Sequence, residues 1–262
     1  MELREVIGNR RSIRYIDPER PVELEKIQRM LEAARIASHF GNNNATQALV
    51  IHRETATKEQ WDSLPSPVGG FQMKIAPVII LWYINMDAMD EAGDRLRELV
   101  QVGALGYGPT KHEELEETLV PLFNSIGEFL KGPGMADMDL GQALCQSTLM
   151  AFEQGLGTCC QGSGDWSKVE KAFGLPASCR MVVAQTVGYP MEDPKAGGQR
   201  PRLPFEKLFQ LNNFDTPFPR SQEVVDELTK DAVFQAAAPQ PGRTEEVEAL
   251  RDKYDLPGSG MI

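Results

Sequence analysis

The chain has 262 residues, 41% of them hydrophobic and 25% charged, enough for one large or two small domains with a self-sufficient core. Its 27 Lys and Arg face 38 Asp and Glu, a formal net charge of −11, which argues against sequence-independent binding to nucleic acid or anionic membranes. No apolar leader opens the sequence, and the longest strongly apolar run, residues 76–84, is too short to span a bilayer. A cytoplasmic protein with no membrane partner is the expectation. Cys145, Cys159, Cys160 and Cys179 lack C-x-x-C spacing, and the histidines are His39, His52 and His112. Reduced thiols and no metal site are therefore expected.

In chain order, residues 22–37 predict an amphipathic helix started by Pro21, with Leu24, Ile27, Leu31 and Ala34 on one stripe that Met30 and Ala37 widen. The polar break 39–44 must be a loop. Residues 47–53 and the apolar 76–84 read as strands. Residues 87–102 and 111–131 read as helices separated by a glycine-rich loop, although Pro121 falls inside the second. Gly132-Pro133-Gly134 breaks the chain. A mixed apolar helix over 137–155 ends at Gly155, a short helix over 166–173 follows, and 180–189 is a buried strand. Beyond Phe209 the character changes. Helices are predicted over 221–234 and 244–254, the latter with Thr244 as N-cap and Glu245 and Glu246 in its first turn.

Four features could carry chemistry. Arg10-Arg11-Ser12-Ile13-Arg14 could grip a phosphate through bidentate bonds, or form a solvated turn paired with carboxylates. Arg200-Pro201-Arg202 adds a weaker cationic patch. The amides of Asn42, Asn43 and Asn44 could read a flat heterocycle or simply make a turn. Residues 155–164 hold four glycines in ten, which permits close backbone approach to a flat ligand. This stretch is not a G-x-G-x-x-G fingerprint and follows a predicted helix, so a dinucleotide-binding reading fails. No phosphate-loop lysine motif, H-E-x-x-H or G-x-S-x-G elbow occurs.

Together these pieces resemble the nitroreductase family of FMN-dependent oxidoreductases. Arg10-Arg11-Ser12-Ile13-Arg14-Tyr15 is similar to its R-R-S-x-R-x-[FY] signature. Leu156-Gly157-Thr158-Cys159 with Phe173-Gly174-Leu175-Pro176 resembles a second block, and Val187-Gly188-Tyr189-Pro190 with Arg200-Pro201 a third. The resemblance covers about residues 3–84 and 137–209. It implies an α+β fold, a mainly antiparallel central sheet flanked by helices, and an intertwined homodimer sharing two FMN sites. Residues 1–210 would form the FMN-binding domain, with a helical lid or insertion at about 86–136. Residues 211–262 would be an extension packing on the partner subunit.

By the same resemblance, Arg10 and Arg200 or Arg202 would hold the FMN phosphate, Ser12 would lie at the phosphate–ribityl region, and Arg11 would be a further cofactor-binding residue. Arg14 would lie near the pyrimidine edge, where a cation favours reduction. Ser38, His39, Phe40 and Asn42 would come from the other chain. Cys160, Gly162 and Ser163 would face the ring from the far side, and Gln72 would touch the pyrimidine edge. No protein group would be the catalyst, since flavin N5 carries the chemistry. Phe40 stands where a small residue is usual, and Asn44-Ala45-Thr46 replaces the family's Gln-Pro-Trp. The implied activity is ping-pong transfer from NADH or NADPH to a small nitroaromatic, quinone or enone. Flavin-dependent substrate oxidation, reductive dehalogenation and non-catalytic flavin storage or sensing remain alternatives.

Overall fold

The computed structural model describes residues 1–64, 71–163 and 165–256. Gly164, which closes the glycine-rich stretch, and the last six residues of the C-terminal extension lie outside the described residues. The N-terminal half contains α1 (Leu3–Asn9), α2 (Leu24–Arg35), β1 (Thr46–His52), α3 (Lys58–Ser63), α4 (Phe71–Ile75), β2 (Val78–Asn85) and α5 (Ala92–Gln101). The remainder contains α6 (Lys111–Glu114), α7 (Val120–Ser125), α8 (Gly127–Lys131), α9 (Met135–Glu153), β3 (Gly157–Gln161), α10 (Ser167–Phe173), β4 (Cys179–Gly188), α11 (Phe205–Leu208), α12 (Gln222–Lys230) and α13 (Arg243–Lys253).

The four strands form one antiparallel sheet in the order β1-β2-β4-β3. β2 is central and its side chains alternate between two cores. Val78, Ile80, Trp82 and Ile84 pack with Ile27, Met30 and Ala34 of α2 and Leu140 and Ala143 of α9. Ile79 and Leu81 pack on the opposite face with Ile13, Ile16, Met73 and Val169. Within α2, Ile27, Met30 and Ala34 are buried as the stripe predicts, but Leu24 is 68% exposed. Trp82 donates its indole N–H to Gln185 Oε1 at 3.0 Å, which satisfies the one polar atom of that ring inside the core.

Three local expectations need correction. The glycine-rich stretch expected to be an approach loop contains the strand β3, whose five residues Gly-Thr-Cys-Cys-Gln have no alternating apolar pattern. The single helix expected over 111–131 is broken. A π-helical turn at Leu115–Leu119 precedes α7, where Pro121 lacks an amide hydrogen and crowds the preceding turn. The chain bends again at Ile126, with φ of −102°. Thr244 is inside α13, and the N-cap is Gly242 in a left-handed conformation.

The N-terminal segment lies directly along the free edge of β3. Ser12 bridges Thr158 in parallel, and the Ile13 N–H donates to the Thr158 carbonyl at 2.9 Å. A Cβ at Gly157 would sit 2.7 Å from Ile13 Cβ, so only glycine admits this approach. The C-terminal extension also contacts its own chain: Arg4 of α1 pairs with Glu227 and Asp231, and Val247, Leu250 and Leu256 pack on Tyr15, Phe71 and Ile75. Between these contacts Ala237 bridges Gln199; ahead of them Phe214 is 87% exposed.

Candidate functional site

Two loops bring arginines to the β3 edge. The end of α1 runs into Arg10, Arg11, Ser12 and Arg14, and the loop after β4 carries Arg200 and Arg202. They line a cavity of about 560 Å³, with Gln235 of the extension on its far wall. Arg10, Arg14, Arg200 and Arg202 make no ion pair with a carboxylate among the described residues. Burial pushes the Arg11 guanidinium below its usual pKa, and Arg10, Arg200 and Arg202 push it further. Arg200 is lowered by burial and then by Arg14. These are the marks of uncompensated positive charge, which a phosphate dianion would relieve.

Arg11 has a different task from its neighbours. It is 7% exposed, and its Nη1 donates to the carbonyls of Gly8 at 2.6 Å and Arg10 at 2.9 Å. Its Nη2 reaches Gln235 Oε1 at 3.4 Å. Only its Nε lacks a partner. Arg11 therefore shapes the loop that presents the other cations.

β3 forms the adjoining wall. Gln161 Nε2 donates to Gln72 Oε1 and contacts Cys159 Sγ at 3.2 Å, so Gln72 does meet the glycine-rich stretch. Cys160 points to the opposite side and is exposed. The protein mass around it pushes its thiol up to about 11, with Cys159 adding and Arg10 opposing. Burial also raises Cys159. Both thiols are thus pushed toward the neutral form. Space beside Gly162 is open. Ser163 Oγ donates to the Asp165 carbonyl at 2.8 Å and accepts from its N–H, so that hydroxyl is engaged in its own turn.

Ser38, His39, Phe40 and Asn42 lie elsewhere. They precede β1, at the other edge of the sheet, three strand spacings or roughly 14 Å from β3. The Phe40 N–H donates to Asp139 Oδ2 at 2.9 Å, and its ring stacks on Phe123 at 5.4 Å. Asn43 Oδ1 accepts from the Ala45 N–H at 2.9 Å. Gly41 and Asn42 take φ of 58° and 56°, a region these residue types tolerate. His39 Nε2 is buried without a partner.

The structure thus brings Arg10, Arg11, Ser12, Arg14, Arg200 and Arg202 to one cavity, with Cys160 of β3 within reach of Arg10's charge and Gln72 bonded to Gln161. Gly162 and Ser163 follow β3 and do not line that cavity, and the 38–42 loop lies at the other edge of the sheet. Sequence reasoning missed Gln161, Glu192, Gln235 and Arg243. Gln235 lies 224 residues from Arg11, and no local pattern could link them. Glu192 was readable only as a carboxylate between two arginine groups. Among the described residues no helix is long and apolar enough to cross a membrane, and no cluster suits a metal ion.

Helices on both faces of an antiparallel sheet, with an arginine-lined pocket at one edge, make this a nitroreductase-type α+β fold. The chain belongs to the Nitroreductase family, whose model matches residues 7–106 and 130–189, and membership implies oxidoreductase activity. Solved structures agree on the fold. A candidate nitroreductase in complex with FMN from Exiguobacterium sibiricum superposes with a TM-score of 0.63 at 22% identity, covering 81% of this chain and 98% of that one. A candidate NAD(P)H:FMN oxidoreductase from Staphylococcus epidermidis gives 0.64 at 17% identity, covering 80% and 95%. An enone reductase of gut-bacterial fatty acid saturation gives 0.56 at 19% identity, covering 74% and 90%. No curated protein sequence matches the chain.

Proposed function

We propose that the protein is an FMN-dependent oxidoreductase that takes electrons from NADH or NADPH and passes them to a small aromatic or conjugated acceptor. The observation that carries this reading is the pocket of arginines at the β3 edge that have no carboxylate partner among the described residues. FMN, when bound, supplies the two-electron chemistry. Arg10, Arg200 and Arg202 would hold its phosphate, and Ser12 would serve the phosphate–ribityl region. Arg14 would put positive charge at the pyrimidine edge, where negative charge builds on reduction. The backbone of Cys160 and Gly162 would meet the ring, with the Gln72–Gln161 pair behind it. The likeness to an FMN-bound structure supports the choice of flavin.

The site would need two chains. One chain holds its 38–42 loop at the opposite sheet edge, so Ser38, His39, Phe40 and Asn42 would reach the flavin of a second copy. The exposed Phe209, Phe214 and Phe218 of the extension fit burial on that copy.

Purified protein should be yellow and release FMN on denaturation, and it should be dimeric by light scattering. Anaerobic mixing with NADH or NADPH should bleach the flavin, and a panel of nitroaromatics, quinones and enones should restore the colour. Recovery of FAD, or a flavin-loaded monomer at micromolar concentration, would overturn the cofactor or the shared site respectively. Bound flavin that neither nucleotide bleaches would point to storage instead of turnover.

A further inference from the structure

Glu192 is a buried carboxylate, 3% exposed, at the back of the arginine pocket. One oxygen, Oε1, accepts the backbone N–H groups of both Arg14 and Tyr15. The other, Oε2, pairs with Arg243 at the start of α13. Arg243 reaches it by lying over Gly197. A Cβ there would come within 2.7 Å of the arginine Cγ, so the path exists because residue 197 has no side chain. Arg243 is fixed from its other side by Glu246 at 2.9 Å. The helix that carries it is seated by Val247 and Leu250 on Tyr15 and Phe71.

This arrangement solves an electrostatic conflict. A buried carboxylate is needed to hold the Arg14–Tyr15 backbone, yet it stands among the arginines that would serve a phosphate. Arg200 feels its attraction and, ranked above it, the repulsion of Arg243. Left unpaired, Glu192 would draw Arg14 or Arg200 onto itself, because an uncompensated buried charge is costly. Arg243, which does not itself line the cavity, satisfies it and leaves the other arginines free.

We infer that Glu192 and Arg243 are positioning residues for the cofactor: together they orient the Arg14 backbone and keep the pocket arginines available for the flavin phosphate. The inference rests on the FMN reading above. It assigns the C-terminal helix a role in the binding site that is separate from any contact with a second chain.

Equilibrium binding of FMN and of riboflavin, followed by flavin fluorescence, tests it. Riboflavin lacks the phosphate, so it reports general damage to the site. Arg243→Gln should weaken FMN by about tenfold or more and riboflavin by less than about threefold. Arg243→Lys should recover most of the loss. The double variant Glu192→Gln with Arg243→Gln should return FMN affinity to within about threefold of wild type, because a neutral amide oxygen can still accept the two N–H groups and needs no cation. Should Arg243→Gln fail to fold, the lysine and double variants carry the comparison. An unchanged FMN-to-riboflavin ratio in Arg243→Gln, or no recovery in the double variant, overturns the inference. Wild-type protein that binds neither flavin overturns the parent reading instead, and does so before any substitution is made.

Discussion

The two edges of the sheet are built on opposite plans. At the β3 edge, Arg10, Arg14, Arg200 and Arg202 stand without carboxylate partners among the described residues, around an open cavity. At the β1 edge, the 38–42 loop is latched to its own chain by Asp139, Phe123 and Asn43. One edge keeps unspent charge for an anion, and the other spends its polar groups on fixing a shape. A shared site would combine the two, a charged half from one chain and a rigid half from the other. This division makes the two halves separable by mutation.

The largest expected effect comes from removing the far wall of the charged half. Truncation after Gln210 deletes Gln235 and Arg243, leaving Glu192 unpaired and uncovering Tyr15 and Phe71. Loss of a buried ionic partner alone costs about 3–5 kcal/mol. Calorimetry should show a sharply lower melting temperature, and the protein should lose its flavin. A truncated protein that keeps both would mean that the extension is ornamental to the pocket.

Next is Arg10→Ala. Loss of charge-assisted bonds to the phosphate should cost about 1.5–3 kcal/mol in FMN binding, with riboflavin almost indifferent. Equal losses for both ligands would show that Arg10 only supports the loop.

The latched half should respond differently. Asp139 is 1% exposed, and Asp139→Ala leaves the Phe40 N–H without its acceptor. A destabilisation of about 1–3 kcal/mol is expected by denaturant titration, with the FMN-to-riboflavin ratio unchanged. A shift in that ratio would show that the two edges are coupled within one chain.

The smallest effect concerns pH. Asp137 opens α9 and receives two bonds of 2.9 Å from Arg180 of β4, anchoring the turn that presents Asp139. This arginine holds the Asp137 carboxyl below its usual pKa. Its contribution is therefore complete above the ordinary aspartate range and fades as pH falls through the depressed value. Asp137→Asn should lower stability modestly at pH 7 and flatten the acid limb of a stability–pH curve. An unaltered acid limb would discount the anchor.

Legibility followed sequence distance. β2 was readable because an uninterrupted apolar run can only be a buried strand or a short buried helix segment. Arg10 to Arg14, and Arg200 with Arg202, were readable because each group declares itself within a few residues. β3 was not, since glycine and cysteine hide its alternation. Glu192 and Arg243 were invisible as a pair. Each is an ordinary surface residue type, and only the fold joins them across 51 positions. The broken helix at Pro121 was half legible: the proline was seen, but not the π turn that accommodates it.

The joining of distant segments has a consequence for folding. α1 is held by Arg4 against Glu227 and Asp231, and Gln235 closes the cavity beside Arg11. Contacts of such long sequence separation form late. The arginine cavity is therefore among the last parts of the fold to close, and a break in the 211–256 segment would open it while the sheet stays intact.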